Sequence, residues 1–150
     1  MTLQTDEQQI TITRVFDAPR DLVFAAWTDP HHLARWFGPA TLETPRDSIE
    51  IDLRPGGRIH LRMEGAGMEY SLRYEILELV EPELLVLKSD PMPEVGLHHE
   101  TVTRIELADE GGKTRMTLTD GPYPAEGARH AGAGWEEAFD KLDSLLASSA

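Results

Sequence analysis

The sequence predicts an α+β domain in which one bent antiparallel sheet wraps a single long C-terminal helix. Three observations carry that prediction. Residues from Thr41 to Thr119 alternate apolar and polar side chains with a period of two, broken at turn residues. The C-terminal segment switches to helical period, with Trp135, Ala138, Phe139, Leu142, Leu145 and Leu146 on one stripe. Ahead of the alternating region, one strand-like run is followed by two short helical runs.

In chain order, Gln9 to Phe16 reads QITITRVF, with Ile10, Ile12, Arg14 and Phe16 on one parity, a β-branched strand. Asp17-Ala18-Pro19 supplies a cap and a first-turn proline, and Leu22, Val23, Ala26 and Trp27 recur at helical spacing. Asp29-Pro30 repeats the start signal, Leu33, Trp36 and Phe37 form a second face, and Gly38-Pro39 ends it. The meander that follows turns at Pro55-Gly56-Gly57, Glu64-Gly65-Ala66-Gly67, Glu81-Pro82 and Asp109-Glu110-Gly111-Gly112. Ile59, Leu61 and Met63 form one dry face, Tyr70, Leu72, Tyr74 and Ile76 the next, and Leu84 to Leu87 is continuously apolar. Thr103, Ile105, Leu107, Met116 and Leu118 continue the alternation, giving about seven strands in all, and Pro91 to Gly96 reads as a loop. The last helix is expected from about Ala125, with Glu136, Glu137, Asp140, Lys141 and Asp143 opposite its stripe and with Gly132 and Gly134 inside it. No repeat, linker or low-complexity block divides the chain, so residues 1–150 are read as one domain.

Composition narrows the functional classes. At 150 residues with 40% hydrophobic and 27% charged side chains, the chain can build a core without staples. It has no cysteine, which excludes disulfides, thiolate zinc sites, iron–sulfur clusters and cysteine nucleophiles. Fourteen basic against 27 acidic side chains give a net charge of −13, a field that repels nucleic acid and anionic membranes. The first residues show no basic and apolar leader pattern, and no stretch has the ~18–20 apolar residues of a membrane span, so a cytoplasmic location is expected.

Ala18-Pro19, Trp27-Thr28-Asp29-Pro30, Leu33, Trp36-Phe37, Pro55-Gly56-Gly57-Arg58, Glu78-Leu79-Val80-Glu81-Pro82-Glu83, Gly112 to Leu118 and Gly134-Trp135 form an ordered set spanning about Thr11 to Leu146. In that order they resemble the bacterial homologues of the heat-shock protein 90 ATPase activator. That family lies within the SRPBCC superfamily, which includes START domains and the birch-pollen allergen. The resemblance implies the helix-grip fold and an internal cavity between sheet and C-terminal helix, offered to an apolar or amphipathic small molecule. It implies no reaction: superfamily relatives include cyclases, hydratases and carriers, and the eukaryotic namesake contacts a chaperone. Asp120-Gly121-Pro122-Tyr123 departs from the branch's more common polar-His-Ser-Gly-aromatic run, a departure expected to remove one polar pocket group.

The chemistry-bearing residues are sparse. His31 and His32 sit roughly 100° apart on a helical turn and read as solvated. His98 and His99 precede a strand that can turn only one of them inward, His60 shares the outward parity of Arg58 and Arg62, and His130 lies early in the last helix. No HxH, HExxH or EF-hand pattern, serine elbow or P-loop occurs, so no metal, cofactor or catalytic residue is assigned. Arg104 and Glu69 have outward parity. There remain Trp27, Trp36, Phe37, Met63, Tyr70, Tyr74, Met116, Trp135 and Phe139, large inward groups that either fill a core or line a ligand pocket. The expected function is binding of a small apolar or amphipathic ligand. One alternative is a cyclase- or hydratase-type enzyme using His98, His99 or Tyr70; another is an interaction protein that modulates a chaperone ATPase. Free sheet edges, and the pairing common in the family, add the expectation of a homodimer.

Overall fold

The computed structural model describes residues 8–93 and 98–148. Of the loop expected at Pro91 to Gly96, residues 94–96 lie outside the described residues. The elements run β1 (Gln8–Phe16), α1 (Arg20–Thr28), α2 (Pro30–Trp36), β2 (Glu50–Ile51), β3 (Arg58–Gly65), β4 (Met68–Val80), β5 (Leu84–Ser89), β6 (Thr101–Glu110), β7 (Lys113–Tyr123) and α3 (Ala125–Ser148), with a 3-10 turn at Arg46–Ser48 between α2 and β2. The seven strands form one antiparallel sheet in the order β1-β7-β6-β5-β4-β3-β2. Consecutive hairpins build β2 to β7, and β1 closes the far edge against β7, with Ile12 opposite Leu118. This is the helix-grip arrangement: α3 packs on β1 and β7, while α1 and α2 close the same face.

Local chemistry explains the boundaries. Asp29 caps α2, its carboxylate accepting from His31 N at 2.8 Å, with Pro30 in the first turn where a missing N–H costs nothing. Pro19 occupies the extended N-cap position of α1 itself, and no side chain caps that helix. Gly57 follows the β2–β3 turn where a Cβ would lie 2.0 Å from Asp52 O, so no other residue fits.

The interior is solid at one end. Phe16, Trp36, Met116, Leu118, Phe139 and Leu142 are fully buried, and Trp27 is 2% exposed. Their rings interlock: Trp27 meets Trp36 edge-on at 4.8 Å between centroids, and Phe139 packs at 6.1 Å from Trp36 and 6.4 Å from Phe16. Arg14 has inward parity, as its place between Ile12 and Phe16 predicts. It reaches across to α3, donating to Glu136 at 2.7 Å and Asp140 at 2.9 Å.

Candidate functional site

The other end of the interior is hollow. A cavity of about 600 Å³ lies between the N-terminal half of α3, the Phe37-Gly38-Pro39 segment after α2, and the inward face of the sheet. Its cause is side-chain size on both walls. The α3 face changes from Phe139 and Leu142 to Ala131, Gly134 and Gly127 as it runs toward its N-terminus, and the strands opposite present Ser89, Thr101 and Thr103. Short side chains on facing surfaces leave a space that the backbone spacing cannot close.

The rim is held by hydrogen bonds across the fold. Glu137 Oε1 accepts from Ala40 N at 2.8 Å and Lys141 Nζ donates to Pro39 O at 3.3 Å, tying the segment after α2 to α3. Burial lowers the Lys141 pKa from its ordinary value, while Glu137 and Glu43 act in the opposite direction. Gly38, at φ +99°, allows the chain to turn beside Met63, whose sulfur would lie 3.0 Å from a Cβ there.

At the polar end of the cavity is Asp120, 1% exposed. Its Oδ1 accepts from Thr103 Oγ1 at 2.8 Å, and its Oδ2 accepts from Tyr123 Oη at 2.6 Å and Trp135 Nε1 at 2.9 Å. Thr103 is the register partner of Asp120 across β6 and β7, so the sheet itself sets the first bond. The pKa of Tyr123 is pushed upward by burial first and then by the charge of Asp120 and its hydrogen bond, with a hydrogen bond from Thr101 opposing. That of Tyr74 is also raised, by burial and by Asp120. Both phenols therefore stay protonated at neutral pH, and that of Tyr123 donates to the carboxylate.

Of the nine aromatic and methionine residues singled out in the sequence, Phe37, Met63, Tyr74 and Trp135 line this cavity. Trp27, Trp36, Met116 and Phe139 lie in the solid end, and Tyr70 stands half-buried on β4 opposite Met63, outside the lining. Trp36 Nε1 donates to Ala26 O at 2.9 Å, whereas the buried Trp27 Nε1 finds no partner among the described residues. His98 and His99 are exposed and are not among the lining residues, while His130, also exposed, is one of them. The run from Asp120 to Tyr123, which departs from the branch's more common pattern, itself places Asp120 and Tyr123 in the cavity lining. Strand alternation carried the signal, because Thr114, Met116, Leu118 and Asp120 share one inward parity. Among the described residues no three His, Asp or Glu side chains are grouped to hold a metal ion, and no helix is long and apolar enough to cross a membrane.

Comparison with known proteins agrees with this architecture. The sequence matches the family described as "Activator of Hsp90 ATPase homolog 1-like protein" over residues 17–147. A crystal structure of a protein from Chromobacterium violaceum superposes with a TM-score of 0.83 at 25% identity, over 92% of this chain and 96% of that one. CalU16 from Micromonospora echinospora gives a TM-score of 0.69 at 26% identity, over 93% of this chain and 76% of the other. The AHSA1 protein from Silicibacter pomeroyi is alike in fold, with a TM-score of 0.82 at 20% identity over 95% of this chain and 100% of that one. A comparison with curated protein sequences finds no match. The chain belongs to the Activator of Hsp90 ATPase homolog 1-like family and its fold to the SRPBCC superfamily, a setting consistent with ligand binding or with roles like those of an Hsp90 ATPase activator.

Proposed function

We propose that this chain is a binding protein for one small amphipathic molecule, held in the cavity between the sheet and α3. The observation that carries the reading is the coincidence of small residues on both walls. Ala131 and Gly134 face Ser89, Thr101 and Thr103 across about 600 Å³. Larger side chains at any of these positions would fill space and gain buried area at ~25 cal/mol per Å². Keeping the space open forgoes that gain, and a volume of this size is typical of sites for drug-sized ligands. The lining matches an amphipathic guest: Phe37, Met63, Leu72 and Trp135 offer apolar surface, and Asp120 and Tyr74 offer polar groups at one end. A polar end lets a ligand be oriented as well as buried.

An environment-sensitive apolar dye tests this directly. It should saturate at one per chain and raise the melting temperature by mass action. Ala131→Phe, which projects a ring into the space, should abolish dye binding with the melting temperature kept or raised. Met116→Trp should instead overpack the solid end, at a cost of roughly 1–3 kcal/mol. Non-saturating dye, or an Ala131→Phe variant that binds dye as the unaltered protein does, would show that the space is not a binding site.

A further inference from the structure

Resting on the ligand reading above, we infer that the polar end of the ligand is a cation, a protonated amine seated against Asp120. The charges that line the cavity point one way. Asp120 and Glu126 bring carboxylates, no lysine or arginine lines it among the described residues, and the His130 imidazole stands exposed at the rim. An anionic headgroup, carboxylate or phosphate, would meet like charge with no cation to offset it. Asp120 is itself incomplete in a specific way. All three of its partners, Thr103, Tyr123 and Trp135, are neutral donors, and among the described residues no guanidinium or ammonium pairs with it. A buried carboxylate carries about four acceptor positions. Oδ2 uses two and Oδ1 one, which leaves one on the oxygen bonded to Thr103. A buried charge is costly unless paired, and charge-assisted hydrogen bonds are roughly twice as strong as neutral ones. An ammonium entering the cavity supplies both the missing counter-charge and the fourth bond. The surroundings suit it: the rings of Tyr74, Tyr123 and Trp135 line the same cavity and can present aromatic faces to a cation. A net charge of −13 also draws cations toward the protein from solution.

The experiment compares decylamine, decanol and decanoate, one chain length with three headgroups, at neutral pH and physiological salt, below their aggregation concentrations. Binding is measured by calorimetry and by displacement of the apolar dye. The expected order is decylamine tightest, by at least about tenfold over decanol, with decanoate weakest, at one site per chain. Asp120→Asn removes the charge and can keep the network, its Oδ1 accepting from Tyr123 and Trp135 and its Nδ2 donating to the Thr103 hydroxyl. It should bring decylamine to within a few-fold of decanol. Ala131→Phe should abolish decylamine binding, which separates the cavity from amine held on the acidic surface, and it decides the question if Asp120→Asn fails to fold. Equal affinities for amine and alcohol in the unaltered protein would overturn the inference, as would an amine preference that survives either substitution. Saturable dye binding without that preference leaves the cavity reading standing and removes only the cation. Absence of saturable dye binding in the unaltered protein removes both.

Discussion

Removing the Asp120 side chain should cost more stability than removing its charge. In Asp120→Ala, Thr103 Oγ1, Tyr123 Oη and Trp135 Nε1 all lose their acceptor. A buried donor left unsatisfied costs about 1–3 kcal/mol. Trp135 borders the cavity and is half-buried, so water can take its N–H; Thr103 and Tyr123, 2% and 8% exposed, have less access to water. Counting those two gives roughly 2–6 kcal/mol, a large part of a domain's total of about 5–15 kcal/mol. Asp120→Asn keeps three partners but turns charge-assisted bonds into neutral ones, and it removes the desolvation cost of a buried charge, so its net loss should stay below about 2 kcal/mol. Urea denaturation at pH 7, with the slope m unchanged between variants, measures both values. A double-mutant cycle with Tyr123→Phe should return a coupling of about 1–3 kcal/mol. If Ala and Asn cost the same, or if both lie within about 0.5 kcal/mol of the unaltered protein, the carboxylate is not the anchor of this end of the core.

Two further outcomes are expected. Gly132→Ala and Gly134→Ala should each stabilise α3 by roughly 0.5–1 kcal/mol, since a Cβ meets nothing within 4 Å at Gly132 and only Pro39 Cβ at 4.0 Å at Gly134. Only Gly134→Ala should weaken dye binding, because Gly134 lines the cavity; equal effects of the two on binding would contradict that placement. Stability should also fall in alkali. Tyr74 and Tyr123 have folded pKa values raised above the ordinary 10.0, so their contribution is fully present below pH 10. Above that pH the unfolded chain releases protons that the folded one keeps, and stability drops by up to ~1.4 kcal/mol per pH unit for each tyrosine. Urea midpoints at pH 9 and pH 11 should therefore diverge, and less so in a Tyr74→Phe, Tyr123→Phe double variant; a flat profile in the unaltered protein would refute the assignment.

The fold was legible because its determinants are local and periodic. Alternation with turn residues marks each hairpin, the stripe from Trp135 to Leu146 marks α3, and Asp29-Pro30 marks the start of α2. The site was half legible, for a physical reason. A search for large inward side chains finds where an interior is full, and Trp27, Trp36, Met116 and Phe139 are full core. A cavity is written instead in small residues that face one another, and Ala131 opposite Thr103 is visible only once strands and helix are brought together. Asp120 was within reach of the alternation rule. Glu137 lay beyond any local rule, because it reads as a solvated helix face until the chain brings Ala40 N to it from 97 residues away.

Trp135 shows how a marginally stable domain can keep such a space. Its ring stacks on Phe139 at 5.5 Å and meets Phe37 edge-on at 5.7 Å, so one face belongs to the solid core. Its N–H belongs to Asp120, and its remaining surface belongs to the cavity. The boundary between full and hollow interior therefore passes through one side chain fixed in three directions. The tight packing of Phe16, Trp27, Trp36, Phe139 and Leu142 holds the C-terminal half of α3 on the sheet without help from the other half. Because a helix is stiff over a few turns, docking one half positions the other, and Ala131 and Gly134 are held over the strands by their neighbours' contacts. Space for a ligand is compatible with stability because the side chains that bind the helix are not those that line the space.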